Sequence, residues 1–224
     1  MTREHMDERR EPLAGAFAAS DASTRLRAAM AAGTHPRAGD IETLVQRCAV
    51  EPDFGVREML TWALTRAERE VTVNRLLREL TSEVAQARSQ ALHTLSKLGE
   101  PRTWPAITMA LLADSDDQVA RAAWRAATAL VPDGERGALA EALATQLGRG
   151  DREVRLSLSR AFVALREAAT PVLERARASR EVEAAAHAVA TLRLIANPDE
   201  GFDAAIEQAR RAVALRAAPR PSPC

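Results

Sequence analysis

Residues 116–130 read DDQVARAAWRAATAL, residues 151–165 read DREVRLSLSRAFVAL, and residues 53–66 read DFGVREMLTWALTR. Each stretch opens on an aspartate and reaches a valine three residues later. Each then runs into an Ala- and Leu-rich segment without an internal Gly or Pro. An Asp side chain accepts from the free N–H groups of a first helical turn, so it marks where a helix starts. Counting the valine as position 0, positions 0, 4, 7, 8 and 11 share one face of a helix at 100° per residue. In the second of these stretches that face is Val154, Leu158, Ala161, Phe162 and Leu165, all apolar.

The same reading extends in both directions. Anchors at Leu26, Val56, Ala87, Val119, Val154 and Val182 lie 30, 31, 32, 35 and 28 residues apart. Two helices of roughly 12 residues with two turns account for such a period, and no strand architecture does. Candidate caps are Ser23, Asp53, Asp116, Asp151 and Ser179, with Ser82 displaced upstream in the third repeat. Alternating first helices are expected near Ile41–Val50, Val71–Leu80, Trp104–Leu112, Arg136–Leu147, Pro171–Ala178 and Phe202–Leu215. Pro105 and Pro171 suit first-turn positions. Pro132 and Pro198 suit turns between helices, and Gly33, Gly99 and Gly148 suit helix ends.

Composition agrees. Apolar residues make up 46% of the chain but aromatics only 3%, with no Tyr. The core must therefore be built from Ala, Leu and Val, and Ala is both the best helix former and small enough for close helix approach. The 31 basic and 31 acidic residues cancel, so overall charge points to neither nucleic acid nor a membrane surface. No apolar run approaches the length of a membrane span, and the charged start MTREHMDERREP lacks a signal-peptide core. Two cysteines, Cys48 and Cys224, form no disulfide framework. A cytoplasmic location is the expectation.

The pattern of Asp, then Val-Arg, then an Ala-rich helix resembles HEAT repeats, especially the short bacterial HEAT-like type. The resemblance covers roughly Ser20 to Leu215. It implies an all-α, right-handed α-solenoid of about six antiparallel helix pairs. The expected organisation is a disordered N-terminal segment over 1–11, the repeat domain over 12–216 and a disordered Pro-rich tail over 217–224. The resemblance also implies that the second helices line an inner, concave side. In such stacks the arginine after the anchor pairs with an aspartate of a neighbouring turn. Arg27, Arg57, Arg88 and Arg155 are then structural, with Asp53, Asp116 or Asp151 as partners.

The face opposite the packed one carries positions 2, 5, 6 and 9. It is expected to expose Trp62, His93, Arg121, Trp124, Arg125 and Arg160, and also Leu92. Two of the three tryptophans and two of the four histidines fall there, in a chain poor in aromatics. Trp and Arg dominate binding hot spots. Arg121 and Arg125, one turn apart, are able to grip a carboxylate or phosphate while Trp124 covers an apolar group. The alternative for Trp124 is packing into the groove between repeats.

Catalytic signals are weak. His5, His35, His93 and His187 are scattered, and neither His93 nor His187 is followed by the Glu that iron-binding HEAT-like hydroxylases require, so no metal and no cofactor is expected. No nucleophile elbow or phosphate-cradling loop occurs, and GRGD at 148–151 is a turn into a helix. The expected function is a non-enzymatic interaction or scaffold module whose concave strip binds another protein or an acidic peptide. The alternatives are a HEAT-like enzyme or nucleic-acid binder of DNA glycosylase or lyase type in the same groove, or an accessory sensory domain of a regulator.

Overall fold

The computed structural model describes residues 11–197 and 201–217. These form thirteen α-helices and no strand. In chain order they are α1 (Glu11–Phe17), α2 (Ala22–Thr34), α3 (Asp40–Val50), α4 (Phe54–Arg66), α5 (Arg69–Glu79), α6 (Ala85–Leu98) and α7 (Met109–Leu112). Then come α8 (Asp117–Leu130), α9 (Arg136–Ala144), α10 (Arg152–Leu165), α11 (Thr170–Ala176), α12 (Val182–Ala196) and α13 (Phe202–Ala217). The all-α class of successive helix pairs is as expected, and α1 supplies a first helix for the first pair that the sequence pattern did not show. The disorder expected at the two ends, and Pro198 and Cys224, lie outside the described residues, apart from Glu11 and Ala217, which belong to helices.

The chain divides into two compact units, one ending at Leu130 and the other beginning at Val131. In the first, Leu44, Leu60, Leu64, Leu76 and Leu95 are buried with Val119 and Ala123. In the second, Leu143, Leu158, Phe162 and Leu165 are buried, and α12 and α13 add a cluster of Ala186, Ala190, Phe202, Ala205 and Ile206.

Local chemistry explains the helix starts. Asp53 and Asp151 accept from the amides of Val56 and Val154 at 2.9 and 3.0 Å, and Asp116 accepts from Val119 N at 3.2 Å. In the first repeat the cap is Asp21, not Ser23, and it accepts from Thr24 N at 2.8 Å. The anchor there is Thr24 in place of Leu26, and the arginine that follows is the buried Arg25 in place of Arg27. The sixth repeat also departs, since Val182 is half exposed and α12 has no side-chain cap. The helix expected over Trp104–Leu112 is broken into a 3-10 turn, Pro101–Ala106, and the one-turn α7. Pro105 lies inside that turn, where its missing N–H cannot serve an α-helix.

The arginine after the anchor is structural, although its partners differ from those expected. Its Nη1 donates to carbonyls five and six residues upstream: Ser20 and Ala19 for Arg25, Pro52 and Glu51 for Arg57, Glu83 and Ser82 for Arg88. It thereby satisfies the carbonyls of the turn entering its own helix. Three of these arginines also reach a carboxylate in the next repeat: Arg25 to Glu51, Arg88 to Asp114 and Arg155 to Glu183. Glu51 is wholly buried and accepts from Arg25, Arg47 and the Asp53 amide. Burial works to raise its pKa, but these donors prevail and hold it down at about 2.

Position 5 of every second helix is buried: Ala29, Thr61, Leu92, Trp124, Ser159 and His187. The expectation that Leu92 and Trp124 face solvent is thus corrected. A two-sided reading allows one packed face, toward the first helix. In a stack, a second helix also meets second helices of adjacent repeats, as α6 does against α4 and α8. Position 5 lies on that flank, which leaves mainly positions 2 and 6 open.

Candidate functional site

Three second helices of the first unit, α4, α6 and α8, lie side by side, with α6 in the middle. They enclose a groove of about 380 Å³ lined by Phe54, Arg57 and Glu58 from α4, Ser89, Gln90 and His93 from α6, and Gln118, Arg121 and Arg125 from α8. The helical repeat places these residues there. Phe54 and Glu58 are one turn apart, as are Arg121 and Arg125, so each helix presents a ridge to the groove.

His93 sits at the centre. Its Nδ1 is 3.0 Å from Arg125 Nη1, and its Nε2 is 3.1 Å from Glu58 Oε1. A guanidinium only donates, so Nδ1 must be the acceptor and the ring proton resides on Nε2, toward the carboxylate. Burial lowers the His93 pKa, the Glu58 carboxylate opposes that shift, and the Arg125 and Lys97 charges add to it. The imidazole is therefore neutral at pH 7, and it links an acid on one wall to a base on the other.

The groove's polar groups are not all satisfied. Arg121 Nε, Gln90 Oε1 and His93 Nε2 are buried without a well-aligned hydrogen-bond partner, and Arg121 makes no ion pair among the described residues. Buried polar atoms normally find partners, so three such atoms within one groove are unusual. Arg57 is already engaged by the Glu51 and Pro52 carbonyls, and its guanidinium lies 5.8 Å from the centre of the Phe54 ring. That contact holds Phe54 at the rim, where it is 68% exposed.

The six strip residues are distributed as follows. His93, Arg121 and Arg125 line the groove. Trp62 lies further along α4, 39% exposed, with one edge of its ring against Gly33 of α2. A Cβ on Gly33 would come within 2.3 Å of Trp62 Cζ3, so Gly33, one residue before the end of α2, serves close packing there. Trp124 is wholly buried and donates from Nε1 to the Leu112 carbonyl at 2.8 Å. It is a core residue, and its place in the strip is corrected. Arg160 is exposed on α10, in the second unit. The sequence reading missed Phe54, Gln90 and Gln118. Phe54 was legible, standing one turn before Glu58 on the same stripe as Trp62.

His187 in the second unit has a different role from its expected place on the open face. It is wholly buried. Its Nδ1 accepts from Gly148 N at 3.1 Å, and its Nε2 lies 3.0 Å from both the Arg155 carbonyl and Ser159 Oγ. A Cβ on Gly148 would sit 2.9 Å from Ala184 N, so glycine permits this approach. Burial, with the Arg155 charge assisting, pushes the His187 pKa down to about 4 against the Arg155 carbonyl bond. Because Nε2 carries the proton, the ring cannot act as a base toward Ser159, and the pair is structural. Cys48 is likewise inert, its thiol raised to about 12 by burial. Among the described residues, no three His, Cys, Asp or Glu side chains gather as a metal site, and no helix is long and apolar enough to cross a membrane.

Comparison with known proteins places this geometry in a family context. No curated protein matches the chain. Among solved structures, an engineered protein aligns over 92% of this chain and 96% of its own, with 19% identity and a TM-score of 0.47. Human deoxyhypusine hydroxylase in complex with glycerol aligns over 95% of this chain and 96% of its own, with 15% identity and a TM-score of 0.45. The family described as HEAT repeats matches residues 41–129, which span α3 to α8 and include the whole groove. Over residues 41–129, this chain is similar to HEAT repeats.

Proposed function

We propose that the first unit is a non-enzymatic interaction module and that its α4–α6–α8 groove binds an acidic segment of a partner protein. The observation that carries this reading is the unmatched charge of the groove. Arg57, Arg121 and Arg125 face a single carboxylate, Glu58, which is itself directed at His93. A partner carboxylate would supply the acceptor that Arg121 lacks, in a recess where low-dielectric walls strengthen the pairing. The partner is expected in the cytoplasm. Arg160, in the second unit, is a further candidate for the same class of ligand.

The test uses purified protein, fluorescent polyglutamate and a duplex DNA of similar length. Wild type should bind polyglutamate with an affinity that falls as salt rises. Arg121→Glu with Arg125→Glu should weaken binding at least tenfold while the circular dichroism spectrum is kept. Arg78→Glu, an exposed site on α5, should have little effect. Unchanged affinity in the double variant would refute the reading. Tighter binding of duplex DNA than of polyglutamate would assign the groove to nucleic acid instead.

A further inference from the structure

The groove belongs to a surface whose two edges differ in chemistry. On α4, Phe54, Glu58 and Trp62 fall on one stripe, four residues apart. Both aromatics are exposed for large apolar side chains, Phe54 at 68% and Trp62 at 39%. The chain holds only three Trp and four Phe, so two aromatics on one exposed ridge concentrate much of its aromatic surface. Packing does not account for all of this surface. Phe54 precedes the buried anchor Val56 and has its ring beside Arg57, and Trp62, with one ring edge against Gly33, is still 39% exposed. On α8, the opposite edge carries Arg121 and Arg125. Between them α6 contributes Ser89, Gln90 and His93, all able to hydrogen-bond.

An acidic tail with no apolar residues would use the α8 edge and leave the α4 ridge wet. Resting on the reading above, we infer that the natural ligand is an amphipathic acidic helix of a partner protein, lying with its apolar stripe on Phe54 and Trp62 and its carboxylates toward Arg121 and Arg125. The spacing suits a helix. Phe54 and Trp62 are eight residues apart, about 12 Å along α4, the separation of side chains two turns apart on a ligand helix. Arg121 and Arg125 are one turn apart, about 6 Å, which matches acidic residues at i and i+4. Adjacent helix axes lie about 8–10 Å apart, so α4 and α8 are about 16–20 Å apart, and a ligand helix about 10–12 Å across, lying over α6, meets both edges through the side chains that project inward from them. Aromatic anchors confer specificity because they bury large area with few rotatable bonds, while the arginines set orientation and encounter rate.

Two synthetic peptides of identical Glu, Leu and Ala composition test this. In one, Leu recurs on a single helical face with Glu opposite; in the other, the order is scrambled. Polyglutamate is measured beside them. Wild type should prefer the patterned peptide over the scrambled one by about tenfold or more, and that peptide should gain helix on binding. Phe54→Ala should remove most of the preference, read as the ratio of the two peptide affinities, and because Phe54 is exposed its loss does not disturb the core. Trp62→Leu should reduce the preference less, since Leu keeps apolar area. Equal affinity of wild type for the two peptides, or a preference that survives Phe54→Ala, overturns the inference while leaving acidic binding intact. Failure of all three ligands to bind overturns the reading under it as well.

Discussion

Each unit has an arginine-rich recess, on α4, α6 and α8 in the first and on α10 and α13 in the second, and the two differ in what the arginines face. In the second unit, a recess of about 350 Å³ is lined by Asp151, Arg152, Arg155, Phe202, Asp203 and Arg210. There Arg152 forms a two-point pair with Asp203 at 2.6 and 2.7 Å, and Arg155 and Arg210 share Glu183 at 2.5 and 3.0 Å. Every one of these cations is neutralised by its own chain. In the first unit, Arg121 has no carboxylate and Arg125 is met only by the neutral His93. The same residue type is therefore a fold element in one recess and an open valence in the other. The number of arginines does not distinguish them, whereas the number of nearby carboxylates does.

The largest effects should come from the cores and be alike in the two units. Leu92→Ala in the first and Leu158→Ala in the second should each cost about 2–5 kcal/mol, read as equal shifts in chemical denaturation, because both side chains are wholly or almost wholly buried. This replaces the expectation that Leu92 is exposed and cheap to remove. A loss at Leu92 below about 1 kcal/mol would reinstate a two-sided helix.

Acid should weaken the second unit through His187. The unfolded imidazole titrates near 6.5 and the folded one at about 4. The unfolded chain thus binds the proton first, and stability falls as pH drops through 6.5, with the loss complete near pH 4. Its full size is about 3 kcal/mol. Denaturation midpoints of wild type and His187→Gln from pH 7 to 4.5 check this, and the variant should show a flatter profile. His93 adds a loss of the same sign in the first unit, since its pKa is also lowered.

Charge changes should separate the recesses. Arg155→Ala should lower stability by about 1–2 kcal/mol, because the Glu183 carboxylate and the Gly150 carbonyl both lose their donor. It should leave acidic-ligand binding untouched. Arg121→Ala should do the reverse, weakening polyglutamate binding several-fold with a stability change near zero, since no partner is lost. The smallest effect is expected for Arg152→Ala. Its bridge to Asp203 is half exposed, and such pairs contribute about 0–1 kcal/mol. If Arg152→Ala also reduced ligand binding, the second recess would not be closed by its own carboxylates.

The repeat was legible because its determinants are local. Asp53, Asp116 and Asp151 cap the helices that their spacing announces, and an N-cap bond spans only three residues. The register of the first repeat was not, because a capped Thr24 and a buried Arg25 look less like an anchor than Leu26 does. Arg25 is tolerated in the interior only because Glu51, 26 residues on, meets it there. The face carrying His93, Arg121, Arg125 and the open edge of Trp62 followed from helical phase alone. Phe54 was on the same stripe and was overlooked, because it precedes the anchor from which positions were counted.

By itself, the sequence determined that this chain is a run of helix pairs, where most of the second helices begin, and which side of each carries its largest polar and aromatic residues. Periodicity and capping depend on residues within a turn or two of one another, and those are written in order along the chain. The tertiary structure alone decided that position 5 is interior, so that Trp124 belongs to the core. It also decided that His187 is held between Gly148 and Ser159, and which arginines are neutralised. Those outcomes depend on what arrives from a neighbouring helix about 30 residues away, and a helix read in isolation has no neighbour to bury it or to balance its charge.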